Sequence, residues 1–249
     1  MRRLQEVGPV WHALIWIGIY IVAVSVGDAV GDAVGFPGMT SIVLLVLSVV
    51  LLLYLRAGDR VAFYGIRRVR PGTGRLTLFF LPLFAVAFVQ YGEGFADGLD
   101  VRDVFFAVLL VLGVGFVEEL VFRGFLLQAL RMEGSATRAI LISGVTFGVG
   151  HVVNLLRGAT PVEQIVQIVM AILIGIALAY CAVLTGSILP GVAFHVLFNL
   201  SGALTADSVL GDTISAVIIG VVMIPYILFL RGRLAEAGPA VPVLSARGT

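Results

Sequence analysis

Runs of apolar residues separated by short polar stretches recur along almost the whole chain. Crossing a hydrocarbon core takes about 20 residues of helix, and eight runs near that length can be drawn. They lie at about 10–26, 39–55, 76–91, 103–130, 137–155, 162–184, 188–204 and 213–230. The pattern predicts an all-α fold, a polytopic transmembrane helix bundle of about eight transmembrane helices. Pro190 and Gly191 interrupt the start of the seventh run. The first run is long and lacks a convincing small-residue cleavage site, so it is expected to stay as a helix rather than leave as a signal peptide.

Composition sharpens this picture. The 249 residues are 60% hydrophobic and 12% charged, far from the half-apolar, quarter-charged balance of soluble domains. Polar stretches do not exceed about 20 residues, so residues 1–249 read as a single membrane domain with no appended soluble module. Any chemistry then belongs to the bundle. The net charge of +1 says nothing about partners, and nothing suggests nucleic acid. Cys181, alone in an apolar run, cannot form an intramolecular disulfide and reads as a packing residue.

The placement of the arginines is more informative than their number. Arg2 and Arg3 precede the first run, and Arg56, Arg60, Arg67, Arg68, Arg70 and Arg75 follow the second. Arg131 and Arg138 follow the fourth, and Arg231 and Arg233 the eighth. The loop after the third run carries Glu93, Asp97, Asp100 and Asp103 against Arg102, and Asp207 and Asp212 follow the seventh. Eight crossings put every arginine cluster on one side, which the positive-inside rule makes the cytoplasm. Arg157 is a minor exception. The expectation is a multi-pass cell-membrane protein with both termini cytoplasmic, in which the six-arginine loop signals topology and meets anionic lipid.

The fourth run holds Glu118, Glu119 and Arg123 among apolar residues. Each such group near the bilayer centre costs about 2.5 to 3.5 kcal/mol on insertion scales. Glu119 and Arg123 are spaced i,i+4 and can pair on one helix face. Glu118 lies about 100° round the helix and need not share that partner, so it is the surplus acid that packing does not require. The chain has three histidines. His12 stands beside Trp11 at the start of the first run, where an interfacial role is expected. His151 and His195 lie inside apolar runs, and Asn199 follows His195 at i+4 on the same face. At 1.5 Å per residue, Glu118 and His151 lie about 20 Å, and His195 about 12 Å, from the arginine-rich end. The three depths allow antiparallel neighbours to gather these groups round one polar cavity open to the cytoplasm.

Peptide hydrolysis needs a base for water, donors for the developing oxyanion and an acid for the leaving amine. Glutamate, two histidines and an asparagine can fill those places, and no serine or cysteine is set as a nucleophile. A metal is the competing account, with Glu118, His151 and His195 as three ligands and an open position for water. The motif is not H-E-x-x-H, and Asn199 suits hydrogen bonding better than zinc ligation, so a metal-free glutamate mechanism with no cofactor is preferred over a divalent metal such as zinc.

At these positions the chain resembles the CAAX-processing and bacteriocin-processing intramembrane endopeptidase family, the type II CAAX prenyl endopeptidase or abortive-infection family. The matching pattern is E-E-x-x-x-R at Glu118, Glu119 and Arg123, F-x-x-x-H at Phe147 and His151, and H-x-x-x-N at His195 and Asn199. The ordered set, within a core of about 103–204, is far more specific than any one motif. The resemblance implies an eight-helix protease with a cytoplasm-facing catalytic cavity, in which Glu118 activates water with His151 assisting. It further implies that His195 and Asn199 hold the oxyanion, that Glu119 and Arg123 orient the set, and that the substrate is a membrane-associated peptide or protein. Substrate identity and oligomeric state do not follow. Two readings from other classes stand beside it: a proton-coupled transporter, for which inverted repeats are not visible, and a non-catalytic scaffold or immunity protein of the same fold.

Overall fold

Local signals in the sequence start and stop the helices. In the computed structural model, which describes residues 8–70, 80–157, 160–206 and 208–237, α1 spans Pro9–Val34 with proline in its first turn, where the missing N–H is not needed. It ends at Gly35, whose φ of 66° is the left-handed conformation of a helix C-terminus. α2 is Met39–Ala57, and α3 is the short Leu81–Ala87, followed by a 3-10 turn at Val89–Glu93. α4, Val101–Glu119, opens on a capping box in which Asp100 and Asp103 each accept the other's backbone N–H. Two acids of the acidic loop therefore serve as helix-start residues. The helix continues through a π-helical turn, Leu120–Leu126, into α5, Leu127–Glu133.

α6, Ala136–Gly150, is capped by Ser135 and gives way to a 3-10 segment at His151–Arg157. α7, Pro161–Thr185, opens on a Thr160/Glu163 capping box and stops at Gly186 with φ of 70°. α8 is Leu189–Leu204 and α9 is Val209–Ala237. Among the described residues the extended pairing is one isolated bridge between Phe95 and Thr205. This is the all-helical, polytopic fold expected.

Among the described residues six helical stretches are long and apolar enough to cross a membrane: Pro9–Val34, Met39–Ala57, Val101–Glu133, Ala136–Leu155, Pro161–Thr185 and Leu210–Ala237. α8 is apolar but shorter, at 16 residues. Pro190 does not interrupt it, because the helix begins around it. The third expected run differs more. Residues 76–79 lie outside the described residues, and the rest forms α3 and the 3-10 turn.

The chain nevertheless changes ends over this segment. At one end the 58–70 loop lies against the α7–α8 turn, where Arg67 Nε donates to the Gly186 carbonyl at 2.8 Å and Arg70 N to Thr185 O at 3.0 Å. At the other end Ala96 N donates to Leu204 O and Ala206 N to Gly94 O. The eight helical segments thus alternate in direction, and Arg56, Arg67, Arg68, Arg70 and Arg131 gather at the end where α2 and α5 finish.

Glycines allow the central helices to approach closely, as packing in lipid favours. A Cβ on Gly113 would come within 2.8 Å of Leu44 Cβ on α2, and one on Gly115 within 2.9 Å of Val196 Cγ2 on α8. On α6, a Cβ on Gly144 would meet Ile176 N at 2.8 Å and one on Gly148 would meet Ile172 N at 2.7 Å. Backbone atoms cannot swing aside as a side chain can. α4, α6, α7 and α8 are thereby packed backbone to backbone around the polar residues.

His12 departs from expectation. It is buried rather than interfacial, with Nε2 accepting from Trp16 Nε1 at 3.1 Å and lying 3.0 Å from Tyr54 Oη. Trp11 is the residue that faces outward, 67% exposed. Cys181 is buried as a packing residue beside Tyr226 Oη.

Gly148→Leu is expected to lower stability by about 1–3 kcal/mol through overpacking, read as a drop in the thermal unfolding midpoint of the purified protein in detergent. Gly220→Ala, at a position with nothing within 4 Å, should leave that midpoint in place.

Candidate active site

The site is built outward from the α4 terminus. Glu118 and Glu119 end the regular α-helix, and the π-helical turn carries Arg123. In that turn Leu127 N donates to Phe122 O, the i→i+5 pattern that defines it. The same carbonyl accepts Ser143 Oγ from α6 at 2.9 Å. Continuous α-helix was the expectation for this stretch. The widened turn follows from tertiary contacts, with Phe122 O tied to α6 and Gly124 set against the Tyr64 carbonyl, where a Cβ would be 3.2 Å away.

Arg123 is fully buried and pairs with Glu119, Nη1 to Oε1, at 2.8 Å. Its Nη2 donates to the Gly175 carbonyl of α7 at 3.4 Å, and its guanidinium lies over the Phe147 ring, 4.2 Å from the centroid. The i,i+4 pairing read from spacing is present. Glu119 Oε2 and Arg123 Nε have no hydrogen-bond partner among the described residues. Glu119 Oε2 points at Gly191, where a Cβ would lie 2.5 Å from it, so the glycine at the start of α8 makes room for the carboxylate.

His195 joins the two glutamates. Its Nε2 is 3.1 Å from Glu118 Oε2 and its Nδ1 is 3.3 Å from Glu119 Oε1. Ionised carboxylates only accept, and a neutral imidazole donates from one nitrogen. Both contacts are hydrogen bonds when the ring carries two N–H groups or one carboxyl holds a proton. Glu118 is therefore not a free acid. Its Oε1 also accepts the hydroxyl of Tyr20 on α1 at 2.6 Å. Tyr20 escaped the sequence reading, because its partner Glu118 lies 98 positions further along the chain.

His151, half-buried, begins the 3-10 segment rather than lying inside α6, with Nδ1 3.2 Å from Phe147 O. It is within electrostatic reach of Glu118. Phe147 stands between the imidazoles, edge-on to His151 at 5.1 Å and to His195 at 5.6 Å between centroids. Asn199, half-buried, lies one turn beyond His195 on α8 and makes no hydrogen bond among the described residues. Glu118, Glu119, Arg123 and His195 thus form one bonded cluster, with His151 beside it and Asn199 on the next turn. Among the described residues no group of three or more His, Cys, Asp or Glu has the geometry to hold a metal.

The fold and cluster define a class, a multi-pass helical membrane protein whose buried carboxylate pair is bridged by an imidazole and held by a guanidinium. Residues 100–201 match the family described as Type II CAAX prenyl endopeptidase Rce1-like. The match covers about two fifths of the chain and contains all seven motif residues, so the resemblance read from the motifs and the family match fall on the same segment. No curated protein and no solved structure gives a significant match.

Arg123→Leu would leave Glu119 buried without its cation and should cost about 3–5 kcal/mol in stability. Replacing both residues with leucine should recover part of that loss, because the uncompensated charge is removed with its partner. Denaturant or thermal unfolding of the single and double variants checks the pair.

Proposed function

We propose that this protein is an intramembrane endopeptidase that hydrolyses a peptide bond of a membrane-associated peptide or protein by glutamate-activated water. The observation that carries the reading is the contact of Glu118 with His195 in a buried site, on the segment that matches a protease family. Glu118 is the base. Each carboxylate oxygen has two lone pairs, so Tyr20 and His195 leave one on each oxygen to receive a water proton.

The hydroxide so formed attacks the scissile carbonyl, and the developing oxyanion meets the side-chain N–H donors of Asn199, while His195, with both ring nitrogens turned to carboxylates, holds Glu118 in place rather than serving the oxyanion as the resemblance implied. His151 stands near Glu118 to assist the water. The proton taken by Glu118 passes to the leaving amine, which balances the hydrolysis. Glu119 and Arg123 fix the far side of the His195 ring and keep its two nitrogens aimed at the carboxylates. The arginine-rich end faces the cytoplasm, by the positive-inside rule, with both termini on that side.

Purified protein in liposomes should cleave a membrane-tethered peptide, with a farnesylated CAAX peptide as the first probe, and Glu118→Gln should lower the rate by about 10²- to 10⁴-fold, the usual contribution of a general base. Wild-type rates from Glu118→Gln would end this reading. Cleavage should survive strong chelation with no stoichiometric metal by elemental analysis. Loss on chelation with recovery on adding zinc would instead favour the metal mechanism.

A further inference from the structure

α1 lies outside the 100–201 segment that carries the motif residues, yet it delivers a polar group to their centre. His12, Trp16 and Tyr20 are spaced i, i+4, i+8, which sets them in one stripe along the helix. The first two dock the stripe. Trp16 Nε1 donates to His12 Nε2, and His12 meets Tyr54 Oη of α2. The rings of His12 and Trp16 lie 5.0 Å and 6.2 Å from that of Phe125. Phe125 belongs to the π-helical turn that directly follows Glu118 and Glu119. The third member of the stripe then reaches Glu118 Oε1 at 2.6 Å.

We propose that Tyr20 is a positioning residue for Glu118, brought to the carboxylate by the docked His12–Trp16 face of α1, so that the hydrolytic site is incomplete without this helix. The inference rests on the reading of Glu118 as the base. The terminal torsion of a glutamate is soft, and a base must present its lone pair within hydrogen-bond reach of the reacting water. A short bond from a hydroxyl to a carboxylate is directional and among the stronger hydrogen bonds. With His195 on the other oxygen, the plane of the carboxylate is fixed at two points, and the remaining lone pairs are aimed rather than free to swing. An apolar ring would fill the same space, so what the hydroxyl adds is this constraint.

The test compares full-length wild type, Tyr20→Phe, Glu118→Gln and the distant control Tyr91→Phe, reconstituted in liposomes with a fluorogenic, membrane-tethered farnesylated peptide as probe. Tyr20→Phe is expected to lower kcat by about tenfold or more, the scale of a hydrogen bond to a charged group, with KM within about twofold and an unfolding midpoint near wild type. Infrared spectra supply a readout that needs no turnover. The carboxylate stretch that disappears in Glu118→Gln should shift in Tyr20→Phe and stay in place in Tyr91→Phe.

An inactive Glu118→Gln beside a Tyr20→Phe with wild-type kcat and an unshifted carboxylate band would overturn the role of Tyr20 and leave the hydrolytic reading standing. A fully active Glu118→Gln would overturn both. If the probe is not cleaved, the infrared shift alone decides, its presence supporting the proposal and its absence overturning it. If Tyr20→Phe fails to fold, a fluorinated tyrosine at position 20 keeps the shape and changes only the hydroxyl. A band that moves with it supports the proposal, and an unmoved one overturns it.

Discussion

Glu118, Glu119, Arg123 and His195 are each at most 8% exposed in a bundle made largely of aliphatic and aromatic side chains. None of the four is tolerable there alone, since the desolvation of a single buried ion costs several kcal/mol. Each becomes tolerable through the others: Arg123 for Glu119, His195 for both glutamates, Tyr20 for Glu118 Oε1 and the Gly175 carbonyl for Arg123 Nη2. Those partners come from α1, α4, α7 and α8, so charge compensation dictates which helices must touch and at what height.

The backbone of the centre follows from that constraint. To bring Glu119 against the first turn of α8 there must be no side chain at position 191, and to bring the Gly175 carbonyl to Arg123 the α6–α7 pair must close to backbone contact at Gly144 and Gly148. The π-helical turn belongs to the same set of adjustments. It reorganises the helix beyond Glu119, and Ser143 takes up the Phe122 carbonyl while Phe125 is presented to α1. π-helical turns occur often at functional sites. Here the turn faces α6 on one side and α1 on the other, and thereby sets both walls of the site.

Apolar run length was enough to read the helices as a polytopic bundle, because in lipid the length and continuity of a hydrophobic stretch are nearly the whole signal. The Glu119–Arg123 pair was legible from spacing, and His195 with Asn199 likewise, since helical periodicity fixes who shares a face. What lay beyond the sequence were relations between helices. Glu118 looked unpartnered because its partners, Tyr20 and His195, are 98 and 77 positions away. His12 looked interfacial because its neighbour Trp11 is, whereas the residues that bury it stand one turn on and on α2. The end of regular helix at Gly150 and the π-helical turn are likewise set by tertiary contacts that no local propensity announces.

The burial of this cluster is graded from one side to the other. The side chains of Arg123 and Glu119 are 0% and 1% exposed, against 11% for Glu118. His151 and Asn199 are half-buried. The ion pair therefore sits against the α7 and α8 backbones, behind the His195 ring, while Glu118, His151 and Asn199 lie toward the more open side. The i,i+4 pair and the neighbouring acid differ by one residue in sequence, and about 100° of helix rotation separates the carboxylate paired with Arg123 from the one that meets Tyr20. The two adjacent glutamates are thus not redundant. One pairs with Arg123 and meets Nδ1 of His195, and the other meets Nε2 of the same ring and the Tyr20 hydroxyl.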